Sequence, residues 1–405
     1  MNTFKRGLFL SLLFILAIVL VACSEDGKET KNDEEKAPVS TEGSKVEELT
    51  IGYTGPLSGP AAFYGEETLK GLRMAAEEIN DSGGFEVDGQ KYTINLSTLD
   101  DKYLPNEAAA NAKRLVQEQD TKFIYTPHSG GVYAMQVFNE MEDFIVMAYT
   151  SEPGVTETGN KMTVRIPPRY DRYIEPFTKY EMERFGKKIA FLPTATQYGK
   201  DWADSLRPVW EANGGEVVFD ESIDFSKDTD FQTIMTNALA KNPDVLFIGG
   251  PSQPTALVLK QARDLGFEGG FIIMDQAKLD EIAAVLGGSY DLLEGVISTP
   301  PLVTSRYGGT EAFIEKYRSE NDKDPGSESG FHYISLYILV EAMKAAGTVD
   351  DTEKIMAAMD QGAKNLPEDK EVYYIQGVDD DGGFLPLLRM AYVENGEIVQ
   401  MGEEK

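Results

Sequence analysis

Gly55-Pro56-Leu57-Ser58-Gly59-Pro60-Ala61-Ala62-Phe63-Tyr64-Gly65 lies between a short apolar run at 49–53 and a segment where Leu69, Leu72, Ala76 and Ile79 recur at helical spacing. It therefore reads as a Gly/Pro-rich loop joining a first strand to a first helix. Glycine lets backbone approach a ligand closely. The start of the helix presents N–H groups with no intrahelical acceptor, and Tyr64 adds a ring and a hydroxyl. Gly and Pro also punctuate ordinary strand-to-helix turns, so the loop gains meaning only from its surroundings.

Outward from that loop, short apolar runs alternate with longer segments of helical period. Runs at 49–53, 92–99, 123–125, 144–148, 188–192, 216–219, 244–248, 271–274 and 295–298 read as strands. Helices are expected at 66–80, 105–117, 133–142, 200–213, 231–239 and 253–265, and then at 310–318 and 331–346, before a last strand at 387–393. Strand and helix in alternation predict an α/β fold with parallel sheets flanked by helices. About 360 residues follow residue 46, too many for one core and suited to two. Arg165-Ile166-Pro167-Pro168-Arg169 interrupts the alternation and is the expected first crossing between two lobes. No period of 20–50 residues repeats, which excludes a solenoid.

In open α/β sheets ligands bind beyond the carboxyl ends of the strands. The residues just past the expected strands are Thr126 to Gly131 with Ser129, Tyr149 to Pro153 with Thr150 and Ser151, Thr196 to Gly199 with Tyr198, Gly249 to Ser252 with Pro251, and Asp275-Gln276. The first two loops belong with Tyr64 in one lobe and the other three in the second. Ser129, Thr150 and Ser151 suit a carboxylate, which needs several hydroxyl or N–H donors. Asp275 and Tyr198 suit an ammonium, which needs an acid and an aromatic face. Such a set fits an amino acid, held only when the lobes close. Ser and Thr at these places are also ordinary helix caps. His128 has no acidic or metal-ligand partner nearby in sequence and reads as a packing residue.

The loop at 55–65 resembles the first ligand-binding loop of the leucine/isoleucine/valine-binding protein family, the type I solute-binding proteins of ABC importers. Gln197-Tyr198-Gly199 is similar to its second-lobe aromatic, and Asp275 to its ammonium-binding acid. Asp100-Asp101 with Pro105 and the Ala-rich helix ending at Leu115-Val116 resembles its second βα unit, and Asp324-Pro325 ahead of 331–337 its late crossover helix. The resemblance implies a two-lobed type I periplasmic-binding-protein fold with three crossings, near Pro167, 299–301 and 377–383. The first lobe would then comprise 47–168 and 300–378, and the second 169–299 and 379–405. It further implies a monomeric, non-enzymatic receptor without cofactor that hands an amino acid, branched-chain or related, to membrane permease subunits. Two departures bear on the ligand. Pro251 stands where branched-chain binders often carry an aromatic, and Asp275 is shorter than the usual Glu. Both leave room for a ligand larger than leucine, or for an amide, urea or aromatic acid. A sensor of the same fold acting through a partner protein is the remaining alternative.

Lys5 and Arg6 precede an apolar run of fifteen residues at 8–22, interrupted only by Ser11. That is shorter than the roughly 20 residues of a spanning helix and reads as a secretory signal. Leu20-Val21-Ala22-Cys23 resembles a bacterial lipobox, so residues 1–22 are expected to be removed and Cys23 to carry a membrane-anchoring lipid. Residues 23–46, rich in Glu, Lys, Asp, Ser and Thr, are expected to be a disordered tether. Cys23 is the one cysteine, so no internal disulfide is possible. The expected site is extracytoplasmic, on the bacterial membrane. The formal charge of -30 becomes -32 once Lys5 and Arg6 leave, which disfavours a nucleic-acid partner. With His128 and His332 as the two histidines, multi-histidine metal sites and triads are largely excluded. No GxxxxGK[ST] phosphate loop follows any expected strand.

Overall fold

The computed structural model describes residues 45–225, 227–228 and 230–402. The expected leader, the lipid on Cys23 and the tether up to residue 44 lie outside the described residues. The chain begins β1 (Glu47–Gly55), α1 (Ala62–Asp81), β2 (Phe85–Val87), β3 (Gln90–Asp100), α2 (Pro105–Gln119) and β4 (Phe123–Thr126). It continues α3 (Ser129–Gln136), β5 (Ile145–Ala148), α4 (Gly154–Glu157) and β6 (Thr163–Arg165). These strands form one sheet in the order β2-β3-β1-β4-β5-β6. Neighbours are parallel except β2 and β3.

The chain then passes into α5 (Asp171–Arg184), β7 (Lys188–Pro193), α6 (Gln197–Ala212), β8 (Glu216–Asp220) and α7 (Gln232–Leu239). Next come β9 (Val245–Gly249), α8 (Ser252–Asp264), β10 (Gly270–Ile273), α9 (Leu279–Val285) and β11 (Val296–Ser298). It returns to the first sheet through α10 (Thr310–Asn321), α11 (Ser327–Ala346), α12 (Thr352–Ala357), α13 (Met359–Lys364), β12 (Ile375–Val378) and β13 (Phe384–Pro386). Finally β14 (Arg389–Glu394) and β15 (Glu397–Gly402) complete a second sheet ordered β15-β14-β11-β10-β9-β7-β8. The two sheets with their covering helices form two lobes.

Each sheet is buried on both faces, which is why its parallel strands read as apolar runs rather than alternations. In β1, Ile51 and Tyr53 pack toward α1 and α11, while Gly52 lies against Leu115 of α2. Leu69, Leu72, Ala76 and Ile79 form the buried stripe of α1. Its contact with α11 is close because position 71 is glycine: a Cβ there would stand 2.0 Å from the carbonyl oxygen of Ser329. The second sheet packs Trp202, Trp210, Phe177 and Phe247 on one face and Phe231, Ile248 and Leu259 on the other.

The expected parallel sheets are present, with antiparallel pairing at their edges. Strand β2 pairs antiparallel with β3 through Asp88-Gly89, and β14 with β15 through Asn395-Gly396. All four turn residues have positive φ (49°, 80°, 54° and 71°), the left-handed geometry that two-residue hairpins require. The crossing expected near 377–383 lies elsewhere. Strands β12 and β13 pair with each other, Ile375 and Phe384 are buried in the first lobe's core, and Gly383 bridges Arg165. The chain therefore reaches the second sheet after Pro386, through Leu387 and Leu388. The helix expected at 133–142 starts earlier, at Ser129, because the His128 imidazole caps its N-terminus by accepting the Gly131 N–H at 2.9 Å, and it ends at Gln136. Helix α5 was not expected. It buries Tyr173, Ile174, Phe177 and Glu181 at helical spacing, with Pro176 inside its second turn obscuring the pattern.

Candidate functional site

The loop between β1 and α1 is held by acids at the end of β3. Asp100 accepts the Leu57 N–H at 2.9 Å and the Ser58 hydroxyl. Burial opposes its charge, but these bonds hold its carboxyl below the ordinary range. Asp101 faces the other way and is fully buried. It accepts from Thr54 Oγ1 at 3.2 Å, from the Tyr103 N–H at 2.9 Å and from His128 Nε2 at 3.0 Å. Since His128 Nδ1 already accepts from Gly131, the imidazole proton sits on Nε2. His128 thus has an acidic partner 27 residues away, beyond the reach of a local sequence reading, and the pair positions the loop that starts α3.

Tyr64 donates its hydroxyl to the Pro127 carbonyl at 3.0 Å, tying the first loop to the one after β4. Gly65 permits this: a Cβ there would lie 1.8 Å from the Pro56 carbonyl oxygen. Tyr149 packs against Tyr64 with ring centroids 6.4 Å apart and against His332 at 4.7 Å. Burial pushes both phenols well above their ordinary range.

Six of the seven residues expected to bind ligand meet at one cavity of about 30 Å³ between the lobes. Tyr64, Ser129, Thr150 and Ser151 come from the first lobe, and Tyr198 and Asp275 from the second. Pro251 is not among them. It precedes α8 and lines a neighbouring cavity of about 190 Å³ with Ser58, Thr196 and Phe225. The β9–α8 loop is drawn toward α9 instead, since Ser252 Oγ bonds Glu281 and accepts the Lys278 N–H at 2.9 Å. Tyr103, Gln276 and Lys278 also line the first cavity. Gln276 was reached from sequence beside Asp275 but given no role, and Tyr103 and Lys278 were not singled out, although both follow strand ends, the signal that located the others.

The second lobe's contribution is a hydrogen-bonded cluster. Tyr198 donates to Asp275 Oδ1, and Trp202 Nε1 lies 3.2 Å from the Tyr198 oxygen and 3.1 Å from Asp275 Oδ1. Burial and the adjacent Asp275 charge push the Tyr198 phenol far above its ordinary value. Across the gap, Ser151 Oγ lies 2.9 Å from the Tyr198 oxygen, and Gln276 Nε2 donates to Tyr103 at 2.7 Å. One side of the cleft therefore carries hydroxyls and the opposite side a carboxylate, a two-ended polar arrangement. Among the described residues no group of three or more His, Cys, Asp or Glu side chains is placed to hold a metal ion, and no helix is long and apolar enough to cross a membrane.

Residues 48–373 match the family described as periplasmic binding protein. An amino acid binding protein of Pseudomonas aeruginosa is 29% identical over 307 residues, 75% of this chain and 80% of that protein. The substrate binding protein LivJ of a branched-chain amino acid transporter from Streptococcus pneumoniae, solved with isoleucine, is similar with a TM-score of 0.74 at 21% identity. The likeness covers 88% of this chain and 99% of that one. A solute binding protein of an ABC transporter from R. palustris, solved with benzoate, has a TM-score of 0.72 at 19% identity, covering 87% of this chain and 95% of that one. Both structures share the two-lobed fold.

Proposed function

Because the chain belongs to the periplasmic binding protein family, we propose that it is the extracytoplasmic substrate-binding lipoprotein of an ABC importer, capturing an amino acid between its lobes for delivery to a permease. The observation that carries this reading is the opposition of Ser129, Thr150 and Ser151 to Asp275 across one cavity. Hydroxyls suit the α-carboxylate, and Asp275 with the Tyr198 ring suits the α-ammonium. The names of the amino-acid-binding relatives support it. Anchoring is assigned to a lipid on Cys23. In cells, Cys23→Ser is expected to move the protein from the membrane to the soluble fraction, and retention at the membrane would oppose that assignment.

A thermal-shift screen of the purified protein against the amino acids, short amides, urea and simple aromatic acids tests the ligand class. A ligand that binds the folded form raises Tm with dose. A rise with amino acids supports the reading, and none with any amino acid opposes it. One observation favours a second reading. Tyr198 and Trp202 already occupy Asp275 Oδ1, so a ligand without an ammonium, such as an aromatic acid, would leave that cluster intact. A Tm rise confined to non-amino compounds would select it.

A further inference from the structure

The cavity between the lobes has a second compartment on its hinge side. It measures about 50 Å³ and shares Tyr149, Pro167, Asp275 and Lys278 with the first. All three connections between the lobes contribute to it, through Pro168, Thr299 with Pro300, and Leu387. Its walls are aromatic: Tyr173 lines it, and Phe331 and Tyr373 stack at 4.2 Å with an interplanar angle of 11°. A compartment of this size holds little more than water while the lobes are shut, so a ligand group enters it as they part and is enclosed as they close.

Three polar groups on that wall lack full partners. Lys278 is 5% exposed and donates to the main-chain carbonyls of Asp275 and of Gln276, the latter at 3.2 Å. Among the described residues it makes no ion pair, and two carbonyls leave one of its three donors over. Thr299 Oγ1 and the Tyr373 hydroxyl are buried with no hydrogen-bond partner. Among the described residues Asp275 is the one acid that lines the compartment. The Asp275 carboxylate takes Tyr198 and Trp202. Glu281 and Glu328 crowd Gly326, where an added Cβ would lie 2.6 Å from Oε1 of each. Asp280 Oδ1 and both carboxylate oxygens of Glu328 are buried with no hydrogen-bond partner, outside the lining of the compartment. Arg389, also on this wall, spends its guanidinium bonds on neutral partners, Ser305 Oγ, the Thr304 carbonyl and Gln400.

A buried ammonium without a counter-ion is costly, and so is a buried hydroxyl without a partner. One carboxylate offers lone pairs enough to accept from Lys278, Thr299 and Tyr373 together. An aliphatic side chain would leave all three unmatched, and an amide would offer one neutral acceptor oxygen but no charge to balance the ammonium. We propose that the hinge-side compartment receives a second carboxylate, so that the ligand is an amino acid whose side chain ends in an acid, with Lys278 the residue that selects it. This rests on the amino-acid reading above and sharpens it.

The test is calorimetric titration of the full-length protein in detergent with L-glutamate, L-2-aminoadipate, L-glutamine and L-leucine. One of the two acids is expected to bind about 100-fold tighter than L-glutamine, the scale of a buried charged pair. Lys278→Met should abolish that preference, while Lys278→Arg, which keeps the charge, should retain most of it. Equal thermal stability of the ligand-free variants separates recognition from folding. If L-leucine or L-glutamine binds as tightly as the better-bound acid, or Lys278→Met leaves acid binding unchanged, the assignment of Lys278 is overturned and the amino-acid reading stands. If none of the four binds, the assignment of Lys278 is overturned, and the amino-acid reading falls with it only where no amino acid raises Tm in the thermal-shift screen.

Discussion

Ser151 and Tyr198 stand on different lobes, and their hydroxyl oxygens lie 2.9 Å apart. The Tyr198 proton goes to Asp275, so Ser151 is the donor. A second bridge, Gln276 to Tyr103 at 2.7 Å, crosses the same gap. Both are made by residues that line the central cavity, so the groups offered to a ligand bond each other while the lobes are shut. Ligand entry has to break these bridges, and its own polar groups then replace them.

Tyr198→Phe removes the oxygen shared by Ser151, Asp275 and Trp202. Leaving buried partners unmatched costs about 1–3 kcal/mol. Part of that loss falls on the closed arrangement, so the ligand-free variant is expected to open. Small-angle scattering should report a larger radius of gyration than for the parent protein. An unchanged radius would mean that the bridge does not hold the lobes together.

Asp275→Ala should weaken an amino-acid ligand by about 2–5 kcal/mol, as for loss of one partner of a buried charged pair. Calorimetric titration reads this directly. An unaltered affinity would remove the ammonium role from Asp275.

Glu152, in the first lobe, faces Asp201 and the Tyr170 hydroxyl of the second. Burial, reinforced by the Asp201 charge, lifts its carboxyl from 4.5 to about 7. Its Oε1 accepts the Gly154 N–H at 3.0 Å, and its Oε2 has no partner. The folded protein thus holds a proton that the unfolded chain releases near its ordinary value, so stability falls where the native state binds more protons. The contribution is complete below pH 4.5 and is lost as pH rises through about 7. The Tm of the parent protein, followed from pH 5 to 8, is expected to fall more steeply than that of Glu152→Gln. Parallel curves would exclude this carboxyl as the source.

Gly65→Ala places a Cβ 1.8 Å from the Pro56 carbonyl oxygen, which is backbone and cannot swing aside. The first loop must shift, at a cost of about 1–3 kcal/mol as for other overpacked sites. Because Tyr64 is the neighbouring residue, ligand affinity should drop along with Tm. Denaturant unfolding and titration together check both. A variant that keeps the parent's stability would show the loop to be more yielding than its contacts imply.

The α/β alternation was legible because strands buried on both faces read as apolar runs, and because α1 shows its stripe in Leu69, Leu72, Ala76 and Ile79. The edge hairpins were also written in the chain, as Asp88-Gly89 and Asn395-Gly396, two-residue turns that favour positive φ. Helix α5 was hidden by Pro176. Looking past strand ends located six residues that line the cavity, and Gln276 beside one of them; the same rule extended by a few residues would have reached Tyr103 and Lys278.

The amino-acid sequence by itself determined the strand–helix alternation, the loops that carry polar side chains, and the lack of any internal disulfide, since these follow from local periodicity, turn chemistry and composition. Only the tertiary structure decided that Asp101 would seize His128, that Ser151 would meet Tyr198, that Pro251 would turn away, and that Lys278 would be buried beside carbonyls alone. The first two depend on contacts between residues 27 and 47 positions apart, and the last two on which way each loop faces once the lobes are built. Chain geometry sets such distances only once the sheets are assembled, so no local pattern carries them.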